Sequence, residues 1–171
     1  MDYKSAYDEI VKNIELYDVE KQSTMVTFDI FVYSLKIYQA NLLSHTNRTQ
    51  INIQIQNKTY IYETLFNISI ICLNYISMIK TDATNNIKDT KHSVIQENRD
   101  LFLQKNHDYG NSFEDYGLIG ILVRLNDKIN RLISLQNAES KVNDEKIYDT
   151  INDLYNYAII GLMYKNDTLV E

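Results

Sequence analysis

The 171-residue chain contains no proline, no tryptophan, one cysteine and four glycines. Without proline nothing in the backbone chemistry interrupts a helix, and apolar residues recur at spacings of three and four through most of the length. Helices are therefore the expectation, and the fold class is all-α. A single cysteine, Cys72, excludes an internal disulfide and any cysteine-built metal cluster. It stands inside the most apolar run, Leu65 to Ile79, and reads as a small buried hydrophobe. That run is shorter than the roughly 20 residues that span a bilayer and carries Asn67 and Asn74, so it is expected as a buried helix and no membrane partner is expected. Also missing is a concentrated basic surface. The net charge of −6 argues against wrapping nucleic acid, although a small anion held by a few groups stays within reach. The start, Met1-Asp-Tyr-Lys-Ser, brings an acid early and no apolar segment, so it does not read as a signal peptide. A cytoplasmic location follows as an expectation. The abundance of Asn, Ile, Lys and Tyr suggests an AT-rich coding genome, and if that genome is viral the location is the host cytoplasm.

What is present is ordinary for a folded chain: 44% apolar and 23% charged residues, enough for one all-α domain over 1–171 with a substantial core. The periodicity predicts helices over 3–16, 23–44, 60–80, 92–105, 117–136 and 144–164. The polar stretch Thr81 to Asp89 is expected to be loose. Gln50 to Asn57 alternates strictly, as a strand does, yet a strand with no partner is improbable, so a loop or helix extension is expected there. A faint repeat is also legible. Ile61-Tyr-Glu-Thr-Leu-Phe-Asn-Ile is similar to Ile147-Tyr-Asp-Thr-Ile-Asn-Asp-Leu, which sets Glu63 opposite Asp149 and Asn67 opposite Asp153. Either two helical hairpins were duplicated and the first copy degenerated, or two helices rich in Ile, Tyr and Asn coincide.

The chemistry concentrates after residue 100. On the helix from Asp144, the residues Glu145, Asp149, Asn152, Asp153 and Asn156 fall within one polar sector about 100° wide. Toward the C-terminus the same side meets Ile159, Ile160 and Met163. A face that turns apolar is covered by another element, so the acids are expected to edge a cleft. Clustered carboxylates there suit a hard divalent cation. The preceding helix groups Arg124, Asp127, Lys128 and Arg131 on one side, three cations that suit phosphate oxygens and one acid that could join the metal. The alternative for each helix is a solvated polar face. A connection of about ten residues should pack the two helices antiparallel and bring the two faces together.

Upstream, Gln104-Lys-Asn-His-Asp-Tyr-Gly-Asn-Ser-Phe precedes a second Asp-Tyr-Gly ending at Gly117. Gly110 permits a close-approach backbone, and Tyr109 and Phe113 offer flat surfaces for a base. His107 lacks a second histidine at ligand spacing, no Ser/His/Asp or Cys/His arrangement is legible, and no phosphate-cradling P-loop is present.

Three blocks in order, Lys105-Asn-His-Asp-Tyr-Gly-Asn-Ser-Phe, then Gly120 with Val123-Arg-Leu-Asn-Asp-Lys-Ile-Asn-Arg-Leu, then Asp144-Glu-Lys-Ile-Tyr-Asp-Thr-Ile-Asn-Asp-Leu-Tyr-Asn-Tyr-Ala, resemble the nucleotide modification associated domain 1 family. Members are common in bacteriophages and are similar to MazG-like all-α nucleotide pyrophosphohydrolases. The resemblance spans about residues 100–165. It implies a MazG-like helical bundle in the half 96–171, with 1–95 as an N-terminal helical half. It implies hydrolysis of a (deoxy)nucleoside triphosphate to monophosphate and pyrophosphate, the alternative being a protein that binds or sequesters a nucleotide without catalysis. Carried over, Asp127, Glu145, Asp149 and Asp153 are the catalytic and metal set for Mg²⁺ or Mn²⁺. Arg124, Lys128, Arg131 and Lys105 are the phosphate set, and Asp108, Tyr109, Gly110, Asn111 and Asn156 the nucleotide set. A homo-oligomer is expected from the same resemblance. One departure stands out: Arg124-Leu-Asn-Asp127 replaces the acidic Glu-x-x-Glu signature of MazG, leaving fewer carboxylates.

Overall fold

A computed structural model describes residues 2–19, 26–48, 53–81, 86–109, 114–136 and 144–166. Among them run six α-helices: α1 Tyr3–Val19, α2 Phe28–Ser44, α3 Lys58–Lys80, α4 Ile87–Tyr109, α5 Gly117–Gln136 and α6 Asp144–Met163, followed by a 3-10 turn at Tyr164–Asn166. The all-α expectation holds. The helix starts follow from local chemistry, since small polar side chains accept the backbone N–H groups that a first turn leaves unpaired. Asp2 Oδ1 accepts from Ser5 at 2.8 Å, Thr27 Oγ1 from Ile30 at 3.4 Å and Asn57 Oδ1 from Tyr60 at 3.4 Å. Gly117 opens α5 at φ 54°, a backbone conformation that a side chain would strain.

Two expectations need correction. Asp89 does not lie in a loose segment, because α4 begins at Ile87 and takes in the end of that polar stretch. In the alternating segment, of which 50–52 lie outside the described residues, a strand forms: β2, Ile53–Ile55, pairs antiparallel with β1, Thr46–Arg48, in the register Thr46↔Ile55, Asn47↔Gln54 and Arg48↔Ile53. Gln56 N–H donates to the His45 carbonyl at 2.8 Å and closes the ribbon. The partner is three polar residues directly after α2, too short to show an alternation of its own.

One hydrophobic core draws on all six helices. Its axis is α3 against α6, which run antiparallel: the Tyr62 hydroxyl reaches the Tyr164 carbonyl at 3.0 Å, while Leu65 lies against Gly161. Around this pair α2 packs on α3 and α5, α5 on α6, α1 on α6 and α3, α4 on α3 and α6, and α1 on α4. Exchanging the first three helices for the last three maps every one of these packings onto another in the set. The exchange relates units of three helices, not the two-helix hairpins of the sequence repeat. By length and composition α3 is apolar enough to cross a membrane, but 56% of its most apolar window is buried inside the protein, where residues such as Leu65, Ile68, Cys72 and Ile76 are sealed.

The close approach of α3, α5 and α6 depends on Gly161. A Cβ there would stand 2.8 Å from Leu65 Cδ1 and 3.4 Å from Ile121 Cγ2. Gly161→Ala is expected to cost about 1 to 2 kcal/mol by forcing Leu65 out of its packing. Against the helix-propensity gain of about 1 kcal/mol that alanine brings, the net is a loss of up to about 1 kcal/mol, and urea denaturation of the two proteins checks the sign.

Candidate functional site

Of the polar sector of α6, Asn152 and Asn156 are buried beneath α1 and α4, Asp153 is partly exposed and Asp149 is exposed. On α4, Val94, Asn98 and Phe102 recur every four residues and turn inward; all three are buried. Asn98 donates from Nδ2 to Asn152 Oδ1 at 2.8 Å and to the Val94 carbonyl at 3.0 Å, and accepts from Asn156 Nδ2 at 3.0 Å. Asn156 in turn accepts the Tyr7 hydroxyl at 2.8 Å. Tyr7 stacks on Phe102 with ring centroids 4.6 Å apart. A bidentate pair, Arg99 Nε to Asp8 Oδ1 at 2.6 Å and Arg99 Nη2 to Asp8 Oδ2 at 2.9 Å, ties α1 to α4 at the surface. Asn156, expected among the nucleotide contacts, is buried here as an internal strut, with its amide oxygen on Tyr7 and its nitrogen on Asn98.

Further along the same faces α4 and α5 converge on α6. Lys105 Nζ donates to Asp153 Oδ1 at 2.9 Å and Lys128 Nζ to Asp153 Oδ2 at 2.7 Å. The Asp153 side chain is 25% exposed, Lys128 22% and Lys105 52%, so the cluster sits at the edge of the core with its Lys105 side open. Burial works to raise the Asp153 carboxyl, and the two ammonium groups outweigh it, holding the acid below the usual carboxylate range. Two ammonium groups on one carboxylate leave a net positive charge.

The other predicted residues divide. Arg124, Asp127 and Arg131 are exposed on α5, with Lys128 between them turned inward. Asp149 is exposed on α6, one turn before Asp153. Asp108 is exposed in the last turn of α4, 3.4 Å from His107 Nδ1. The side chains of Tyr109 and Glu145, and all of Gly110, Asn111 and Phe113, lie outside the described residues. Among the described residues no three Asp, Glu, His or Cys side chains gather to hold a metal ion. Both Asp153 oxygens already carry an ammonium group, so the described donors do not fit a divalent cation as they stand. A groove among the described residues, lined by Leu42, Leu43, Ile119, Leu122 and Val123 among others, lies between α2 and α5 and includes none of the predicted site residues.

Sequence reasoning missed Tyr7, Asn98 and the Arg99–Asp8 pair. Asn98 carries a signal in retrospect, an amide at a core position between Val94 and Phe102; Tyr7 and Arg99 carry none.

The Asp153 contacts give a pH signature. A carboxyl whose folded pKa is depressed stabilises the fold above its unfolded value, about 3.9, and loses that contribution as pH falls through the folded value. Stability measured from pH 5 down to about 2 should therefore fall less steeply in Asp153→Asn than in the parent. Parallel slopes would show that the two lysines do not hold the acid.

A family model described as nucleotide modification associated domain 1 matches residues 105–164, from Lys105 through α5 to the end of α6. Neither the curated proteins nor the solved structures gave a match. The matched stretch contains all three members of the Lys105–Asp153–Lys128 cluster, and it is to this nucleotide-associated family that the C-terminal part of the chain is similar.

Proposed function

We propose that this protein binds the phosphate tail of a nucleotide at Lys105 and Lys128. The observation that carries the reading is that lysines from two helices meet on one half-buried carboxylate. Asp153 balances one of the two charges and holds both ammonium groups within a few ångströms of each other. A phosphate entering from the open Lys105 side meets preplaced donors, which lowers the ordering cost of binding. Arg124 and Arg131 stand one turn to either side of Lys128 on α5, so further phosphate oxygens along the helix meet guanidinium forks. The similarity of residues 105–164 to a nucleotide-associated family makes a nucleotide the natural bearer of that phosphate.

A second reading is a Mg²⁺- or Mn²⁺-dependent pyrophosphohydrolase. It is favoured by Asp149, exposed one turn from Asp153 and ion-paired with no described residue, and by the acidic register of α6. Titration of dATP, ATP, deoxyadenosine and inorganic triphosphate, each with and without Mg²⁺, separates the two when pyrophosphate release is followed in parallel. The binding reading expects triphosphates to bind without metal and the nucleoside not to bind. Equal affinity for nucleoside and triphosphate would overturn it. Release of pyrophosphate that needs Mg²⁺ and vanishes in Asp149→Asn and Asp153→Asn would establish the hydrolase instead.

A further inference from the structure

We infer that the fold contains two equivalent positions for the phosphate-binding cluster, that only the C-terminal one keeps its charges, and that each chain therefore takes up one phosphate tail. The inference rests on the phosphate reading above. Its independent support is the way the two halves correspond. The packings of α1, α2 and α3 exchange with those of α4, α5 and α6 throughout.

Residue by residue, the sequence repeat gives the register of α3 on α6, and the structure agrees with it. Thr64 and Thr150 are both buried, and each donates its hydroxyl to the carbonyl four residues back, at 2.7 Å in both. In the same register the sealed Ile68 and Cys72 stand for the sealed Leu154 and Ala158. On the outer pair, the buried positions Phe31, Val32, Leu35 and Leu42 of α2 reproduce the spacing of Ile121, Leu122, Leu125 and Leu132 of α5.

These registers assign the counterparts of the charged cluster. Asn67 stands where Asp153 does, and Tyr38 where Lys128 does. The third position falls to α1. There Tyr17 packs edge-on against Phe66, the neighbour of Asn67, at 5.3 Å and 78°, and burial first, then the Tyr17 phenol, push the Tyr38 hydroxyl above its ordinary range. A carboxylate and two ammonium groups in one half thus correspond to an amide and two phenols in the other. Neutral phenols offer a phosphate no compensating charge, and the aromatic cluster instead adds apolar packing where α1, α2 and α3 meet.

Calorimetric titration of inorganic triphosphate into the whole chain tests this. The expected stoichiometry is one per chain, with affinity lost at least tenfold in Lys105→Ala and Lys128→Ala and changed less than about twofold in Tyr17→Ala and Tyr38→Phe. The combined variant Tyr17→Lys, Tyr38→Lys, Asn67→Asp should gain a second binding event. If circular dichroism shows that this variant does not fold, the parent stoichiometry and the single variants decide alone. Two triphosphates per parent chain, equal losses at Tyr38 and Lys128, or a folded triple variant with one binding event would each overturn the inference while leaving the phosphate reading in place. No binding by the parent would overturn both.

Discussion

Lys128→Ala is expected to weaken inorganic triphosphate and dATP ten- to hundredfold while leaving the protein folded. A hydrogen bond from a charged donor is worth about 1.5 to 3 kcal/mol, which is that range in affinity. Lys128 is the better-shielded of the two lysines, so solvent competes least for its ammonium group. Removing it also leaves Asp153 with Lys105 alone, turning a net positive cluster neutral. Lys105, which is half exposed, should give a smaller loss, and Arg124→Ala and Arg131→Ala smaller again because both are solvated on the outer face of α5. Asp153→Asn separates the readings most sharply. An anion site that loses this carboxylate should still hold triphosphate, the added positive charge offsetting the looser lysines, whereas a hydrolytic metal site should lose turnover. Calorimetry on the four lysine and arginine variants, with folding checked by circular dichroism, gives the ranking. A ranking with the arginines first would move the phosphate contact out along α5.

The second large effect is structural. Asn98→Ala should destabilise the fold by about 3 kcal/mol, because it strands two buried amide groups rather than one. Asn98 is 2% exposed and uses both ends of its amide. Without it, the Asn152 Oδ1 and the Asn156 Nδ2 lose their partners, each at roughly 1 to 3 kcal/mol, in addition to the cavity. For a chain of this size that corresponds to a melting temperature lower by about 6 to 12 °C. Because Lys105 lies two turns further along α4, a looser α4 should also weaken phosphate binding. Arg99→Ala is the contrasting case, since its partner Asp8 is 43% exposed and the loss should stay near 1 kcal/mol. Equal costs for the two variants in urea denaturation would mean that the amide chain does not hold α4 in place.

How far the sequence announces this arrangement differs from link to link. Helices over most of the chain follow from unbroken three-four periodicity, but the starts of α2 and α3, expected at 23 and 60, lie at Phe28 and Lys58, where Thr27 and Asn57 cap them. The burial of that side of α6 at Asn152 and Asn156 was partly legible, because Ile159, Ile160 and Met163 continue it as an apolar face and all three are buried, but Asp149 on the same side is exposed. Pairing was not legible. Periodicity tells which residues share a face; it does not tell how two helices cross, and the crossing decides which cation meets which acid. Lys128 looked like part of an outward basic face with Arg124 and Arg131, yet it alone turns to Asp153. Lys105 comes from 48 residues upstream, on a helix whose end the periodicity placed four residues too early. Asn156 read as a ligand contact because amides serve ligands and cores equally well, and burial, which separates the two uses, is a property of the assembled fold. The ribbon failed for a related reason: alternation identifies one strand, while its partner Thr46–Arg48 has too few residues to carry a pattern.

The hydroxyl of Tyr7 finds its acceptor on Asn156, 149 positions later in the chain. At the usual pace of protein synthesis, about 5 to 20 residues per second, the first helix emerges roughly 7 to 30 seconds before the residue that receives it exists. During that interval the stripe of Ala6, Tyr7, Ile10, Val11 and Ile14 has no finished surface to lie on, since α6 does not yet exist. The nascent chain therefore has to carry α1 open, within reach of chaperones and proteases, until α6 has been made, and a ribosome stalled between the two leaves the apolar stripe of α1 exposed for as long as the stall lasts.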